Sequence, residues 1–202
     1  MTDPTLRNRA GDSALLTFLL ALTLLFLAAT AAHARGGAEP LPTSPPASID
    51  RDAFVAYVSA LAVDERYRSG VPASITAAQA ILESDWGRAP IAVAGNNYFG
   101  IKCKRYWTGA TVLHEDDDLD ADGNLTASCF RAYDEVADSF ADHSDFLRYR
   151  ERYAELFTYA TDDYESWAHG LKACGYATDP EYAYKLIRII ERLGLGDLDC
   201  VE

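Results

Sequence analysis

The run Ala77-Ala78-Gln79-Ala80-Ile81-Leu82 passes into Glu83-Ser84-Asp85-Trp86-Gly87, and Asn96-Asn97-Tyr98-Phe99-Gly100-Ile101-Lys102 follows a few residues later. Apolar residues at helical spacing predict a short helix from Thr76 to Ser84, entered through the turn Val71-Pro72 and stopped by Gly87. The rest of the chain is organised around this segment. Glu83 falls in its last turn, beside aromatic Trp86. A carboxylic acid placed there has its charged form disfavoured by desolvation and by the negative end of the helix dipole, so it can stay protonated near neutral pH and suits proton donation. The plain alternative is a solvated carboxylate at a helix end.

Three regions follow from composition. Residues 1–34 carry Arg7 and Arg9 ahead of an apolar and small-residue run from Ala14 to Ala32, ending in Ala32-His33-Ala34. These are the parts of a secretory signal peptide, long enough to act alternatively as an uncleaved N-terminal anchor. No cysteine precedes Lys102, so lipid attachment there is disfavoured. Residues 35–49, with Pro40, Pro42, Pro45 and Pro46, read as an extended linker. Residues 50–202 suffice for one domain. The first 49 residues balance Arg7, Arg9 and Arg35 against Asp3, Asp12 and Glu39, so the whole net charge of −13 sits on that domain. Such a surface excludes nucleic acid and anionic headgroups as partners; the membrane enters only through the N-terminal segment.

Within the domain, Phe54, Val55, Val58, Leu61, Ala62 and Glu65 recur at helical spacing between Asp50 and Arg68, and Gly70 with Pro72 ends that helix. From Tyr98 to Tyr133 the period changes. Thr111-Val112-Leu113-His114 and Thr126-Ala127-Ser128-Cys129-Phe130 read as strands around the turn signal Asp122-Gly123. Helical spacing returns through Val136, Phe140, His143 and Phe146-Leu147, then through Tyr164, Trp167, Ala168 and Leu171 behind a capping box Asp162-x-x-Glu165. A last helix opens at Thr178-Asp179-Pro180-Glu181 and buries Leu186, Ile187, Ile190 and Leu193. The fold class is α+β, mainly α, with a small β-hairpin lobe. Four cysteines fit an oxidising compartment and allow three pairings. Spacing favours Cys103 with Cys129 across the hairpin and Cys174 with Cys200 at the C-terminal end. Without CxxC spacing or a local His-Cys pair, a metal site or thiol nucleophile is the weaker alternative.

Ala-Gln-Ala-Ile-Leu-Glu-Ser-Asp-Trp-Gly, Asn-Asn-Tyr-Phe-Gly-Ile-Lys and Gly175-Tyr176-Ala177-Thr178-Asp179-Pro180-Glu181-Tyr182-Ala183, in that order, resemble the peptidoglycan-cleaving N-acetylglucosaminidases of glycoside hydrolase family 73. The resemblance runs from about Phe54 to Leu193. It implies a lysozyme-like helical body with a cleft beside the β-lobe, and endo-cleavage of the N-acetylglucosaminyl-β-1,4-N-acetylmuramic acid bond. It implies peptidoglycan glycan strands as the partner, no cofactor, and an exported protein, periplasmic or secreted. Glycoside hydrolysis generally uses two carboxyl groups. By resemblance Glu83 is the acid, and a β-lobe carboxylate nine residues after Gly109 assists, which gives Asp118. The family has Glu there, so Glu115, Asp116 or Asp117 serves instead if the hairpin register differs. His114 stays outside the catalytic set.

The resemblance also implies that Tyr176 projects into the cleft near the acid and that Asn97, Tyr98, Trp107 and Tyr182 contact sugar; Phe99 reads as core. Alternatives are a muramidase or lytic transglycosylase, since a lone helix-end Glu on this fold supports those chemistries, or a non-catalytic wall-binding module. Asp118-x-Asp120-x-Asp122-Gly123-x-Leu125 copies part of a calcium loop, but Cys129 holds the position where Glu closes such loops, and strands flank it. An exposed hairpin tip is therefore expected, with no metal.

Overall fold

Nine consecutive residues, Ala73 to Ile81, are all buried, and most are small, so the helix they form can be approached closely from several sides. The computed structural model describes the backbone of residues 50–119 and 125–200, and the side chains of all of these except 116–119 and 125. The signal segment, the linker and the Asp122-Gly123 turn expected from sequence lie outside it. Helix α1 spans Arg51–Ser69. Asp50 caps it by accepting from the amides of Asp52 and Ala53, and Gly70 ends it in the left-handed conformation at φ 79°. Helix α2, Ala73–Glu83, begins three residues before the expected start because Val71-Pro72 already turns the chain into it.

The N-terminus of α2 has no local side-chain cap. Asp199, from the other end of the domain, supplies one: its Oδ1 accepts from the Ser74 amide at 3.0 Å. Burial raises the Asp199 pKa above the usual carboxylate range, and the hydrogen bonds from that turn oppose the rise. Around α2 pack α1, α5 (Tyr164–Ala173), α6 (Tyr182–Leu193) and the closing 3-10 helix Leu195–Cys200. Val58, Ala62, Ile75, Ile81, Trp167, Leu186 and Ile190 belong to one continuous core.

A short helix α3, Pro90–Gly95, starts with Pro at its first position and ends at Asn96, left-handed at φ 50°. Strands β1 (Thr111–Leu119) and β2 (Leu125–Arg131) pair antiparallel from Thr111 with Arg131 to Glu115 with Ala127. An irregularity follows, and pairing resumes at Leu119 with Leu125. Cys103–Cys129 staples this lobe, as spacing suggested. Helix α4, Val136–Arg148, ties the lobe to the helical body: Asp142 receives Arg131 at 2.6 Å and the Tyr133 hydroxyl at 2.6 Å. A 3-10 helix, Glu151–Thr158, precedes α5, whose cap is Asp163, one residue later than the expected box.

The expected second disulfide is absent; Cys174 and Cys200 are free. Cys174 closes α5 with its carbonyl held by Arg152, while Cys200 follows Asp199 at the N-terminal end of α2. The two thiols thus belong to different neighbourhoods. Among the described residues no helix is long and apolar enough to cross a membrane.

Candidate active site

Glu83 is the last residue of α2, where the helix presents its unsatisfied carbonyl end. Behind it the chain turns sharply through three left-handed residues, Asp85 at φ 47°, Trp86 at 60° and Gly87 at 75°. A tryptophan in that region is strained, and the strain is offset locally. Trp86 donates its amide to the Ile81 carbonyl, and Ser84 Oγ bridges the Ala80 carbonyl and the Gly87 amide. Gly87 is required twice over, since a Cβ there would meet Phe54 at 2.8 Å and the Tyr98 hydroxyl at 3.2 Å.

The Glu83 carboxyl is held by a buried relay. Gln79 Nε2 donates to the Tyr182 hydroxyl at 2.9 Å, and that hydroxyl donates to Glu83 Oε1 at 2.9 Å. Gln79 and Glu83 stand one turn apart on the same face of α2, and α6 brings Tyr182 against both. Desolvation raises the Glu83 pKa; the Tyr182 hydrogen bond and the charge of Lys185 pull it down. The net result is a carboxylic acid that keeps its proton above the ordinary glutamate range. Tyr176 stacks on Tyr182 at 5.6 Å, and burial together with nearby Glu83 pushes its phenol pKa well up. Both tyrosines are therefore neutral donors near Glu83.

Glu83 opens onto a cleft of about 820 Å³. Its walls include Phe99, Ile101, His114, Glu115 and Phe130 on one side of the sequence and Phe146, Tyr153 and Tyr176 on the other. The expected proximity of Glu83 and Tyr176 is thus observed. Trp86 is not the apolar neighbour of the acid. Its ring lies 6.1 Å from Phe54 with the Arg51 guanidinium 4.8 Å above it, in a separate hollow with Ile189 and Leu193. The left-handed turn after Glu83 carries it there, and tyrosines take the place assigned to it.

Several sugar-contact candidates sit elsewhere. Asn97 is buried, with its amide donating to the Ile101 and Arg131 carbonyls at 3.0 and 2.8 Å and its oxygen accepting from the Phe99 and Ile101 amides. Every polar function of that side chain fastens the loop to β2, so none remains for a sugar. Tyr98 is core, stacked on Phe54 at 6.0 Å and facing Phe140. Trp107 bonds the Ala110 carbonyl and packs against Tyr133 and Arg131, outside the cleft lining. Tyr182 is 3% exposed and touches Glu83 rather than open space. Phe99, expected in the core, is buried at the cleft wall and stacks on the His143 ring at 3.9 Å.

The second carboxylate is described only in part. Asp116, Asp117 and Asp118, and with them the calcium-like loop, have side chains outside the described residues. Glu115 is described and lines the cleft beside His114. Sequence reasoning passed over Gln79, which holds the Tyr182 hydroxyl behind the acid, and the cations Lys102, Lys104, Arg150 and Arg152, which line the cleft. Gln79 had one usable signal: an amide in the middle of an apolar helical run, one turn before the acid. Among the described residues no cluster of His, Cys, Asp or Glu could hold a metal ion.

Residues 59–195 match a glucosaminidase domain described as mannosyl-glycoprotein endo-beta-N-acetylglucosaminidase. The chain is 37% identical over 132 residues to exo-glucosaminidase LytG of Bacillus subtilis, covering 62% of this chain and 45% of that protein. It is 34% identical over 145 residues to peptidoglycan hydrolase FlgJ of Vibrio cholerae, covering 69% of this chain and 42% of that protein. It thus spans less than half the length of these relatives. The glycoside hydrolase domain of Salmonella typhimurium FlgJ superposes with a TM-score of 0.59 at 32% identity, over 72% of this chain and 89% of that one. The catalytic domain of the Listeria monocytogenes autolysin Auto gives 0.65 at 26% identity, over 86% and 97%.

Proposed function

The chain belongs to the glucosaminidase family, and from that premise we propose that it is an exported endo-acting hydrolase of the N-acetylglucosaminyl-β-1,4-N-acetylmuramic acid bond in peptidoglycan. The observation that carries this is the Glu83 carboxyl. It lies at a helix end in the wall of the cleft, has its pKa raised by desolvation, and is oriented by the hydroxyl of Tyr182. Glu83 protonates the leaving glycosidic oxygen, and positive charge develops on the sugar ring as the bond breaks. Tyr176 presents a ring and a neutral hydroxyl to the sugar next to that bond. A carboxylate from the β1 segment Glu115–Asp118 stabilises the developing charge. Glu115 is supported by its place in the cleft lining and Asp118 by the family spacing. The cleft volume falls toward the upper end of the range for small-ligand sites, which suits more than one sugar ring. Export is supported by Arg7, Arg9 and the apolar run Ala14 to Ala32.

The test is digestion of purified peptidoglycan by wild type and Glu83→Gln. New reducing-end N-acetylglucosamine with the wild type alone is expected, in oligomeric products if cleavage is internal. Reducing-end muramic acid would mean a muramidase, anhydromuramyl ends a transglycosylase, and binding without turnover by the wild type a wall-binding module. In parallel, Glu115→Gln and Asp118→Asn decide the assisting group: its loss is expected to slow turnover by about 10²-fold, and the other substitution by far less.

A further inference from the structure

The chain as a whole carries 31 acidic and 18 basic residues, yet among the described residues that line the cleft cations outnumber acids: Lys102, Lys104, Arg150 and Arg152 accompany Glu83 and Glu115. The lysines flank Cys103 where the chain enters the β-lobe. The arginines come from the helical body, on either side of Glu151. Arg150 donates to the Tyr106 hydroxyl at 2.6 Å and lies 3.8 Å over the Phe146 ring. Arg152 donates to the carbonyls of Cys174 and Gly175, the turn that carries Tyr176. Neither arginine, nor Lys104, pairs with a carboxylate among the described residues. Hydroxyl, ring and carbonyl partners position the two arginines without neutralising them, so their charge is available to a ligand. Positive charge gathered in a cleft of a protein whose net charge is negative is a local attractor for anions.

We propose that Lys104, Arg150 and Arg152 bind a carboxylate of the substrate, so that the cleft takes a carboxylate-bearing glycan in preference to an uncharged one. This rests on the peptidoglycan reading above and narrows its substrate class. Two carboxylates have the required chemistry: those of the stem peptide, and the lactyl group of muramic acid when no peptide is attached. Arg supplies a planar fork that fits a carboxylate, and Lys104 adds a point charge. A single exposed pair contributes little, but two or three acting together in a partly enclosed cleft correspond to about a tenfold preference.

Three soluble probes test it by kcat/KM at low salt: peptide-bearing glycan fragments with free carboxyls, the same fragments with those carboxyls amidated, and peptide-stripped strands with free lactyl carboxylates. A preference of about tenfold for free over amidated stems assigns the contact to the peptide. A similar preference for stripped strands over both peptide-bearing probes assigns it to the sugar. Either preference should shrink as salt is raised, and in Lys104→Gln/Arg150→Gln the ratio should fall toward one. Because the readout is a ratio within one preparation, partial misfolding of the variant cancels. Equal rates on all three probes, within twofold, overturn the inference while leaving the hydrolase intact, and so does a variant that keeps the wild-type ratio. Cleavage of none of the probes overturns the hydrolase reading and this inference with it.

Discussion

Replacing Tyr182 with Phe removes one oxygen from the centre of the relay and nothing else. That oxygen accepts from Gln79 Nε2 and donates to Glu83 Oε1, both at 2.9 Å. Gln79 is fully buried and its Oε1 already lacks a partner among the described residues, so Tyr182→Phe leaves the whole amide unsatisfied there. A buried polar group losing its partner costs about 1–3 kcal/mol. For a domain of this size a loss of about 2 kcal/mol corresponds to a fall in Tm of about 4–8 °C. The second effect is on the acid. The Tyr182 hydrogen bond stabilises the ionised carboxylate and lowers the Glu83 pKa against desolvation. Its removal moves that pKa further up, so the alkaline limb of the kcat/KM profile, where the acid must still hold its proton, shifts to higher pH.

The stability profile of the same variant has a definite sign. Glu83 has a folded pKa above its unfolded value, so the native state binds more protons between the two. Stability therefore falls as pH rises through that window. In Tyr182→Phe the fall extends to higher pH. The assays are pH-dependent hydrolysis of soluble peptidoglycan fragments and thermal melting across the same range. An alkaline limb that stays in place or moves down would refute the relay, even if Tm drops, because a merely structural Tyr182 predicts the stability loss alone.

Buried His143, stacked on Phe99 with neither ring nitrogen partnered among the described residues, has its pKa lowered from 6.5 to about 3 by burial. The unfolded chain takes up that proton first, so the domain loses about 1.4 kcal/mol per pH unit as pH falls below 6.5 toward 3; His143→Phe should flatten the fall in Tm between pH 6.5 and 4.5, and unchanged slopes would refute this. Asp142→Ala leaves the nearly buried Arg131 guanidinium unpaired and frees the Tyr133 hydroxyl, which should cost about 3 kcal/mol by denaturant melting and lower turnover by loosening the β-lobe; a loss below 0.5 kcal/mol would show that the lobe is anchored elsewhere. Reducing Cys103–Cys129, which closes a loop of 26 residues, should cost about 3.5 kcal/mol, whereas Cys174→Ser and Cys200→Ser should each change stability by under about 1 kcal/mol. Millimolar calcium or chelator should leave both Tm and turnover unchanged, because Cys129 stands where the calcium-like loop needs a bidentate carboxylate.

Local physics made much of the helical body legible. Asp50 before α1 and Gly70 after it are caps whose chemistry acts within a few residues, and they mark the boundaries observed. The period of two in Thr111 to His114, the cysteines on either side of the hairpin and the placement of Glu83 in a last helical turn were equally local signals. What sequence left undecided was direction across space. Asn97 and Tyr98 follow one another in a motif suited to sugar binding, yet one spends its amide on carbonyls at 101 and 131 and the other completes a ring cluster with Phe54 and Phe140. Trp86 is three residues from Glu83 and faces away, because three left-handed residues in succession reverse the chain. Gln79 meets its partner 103 positions away and Glu83 meets the same one 99 positions away. Periodicity specifies which face of a helix is buried; only the packing of α6 on α2 decides which hydroxyl that face receives, and so how the acid is oriented and protonated.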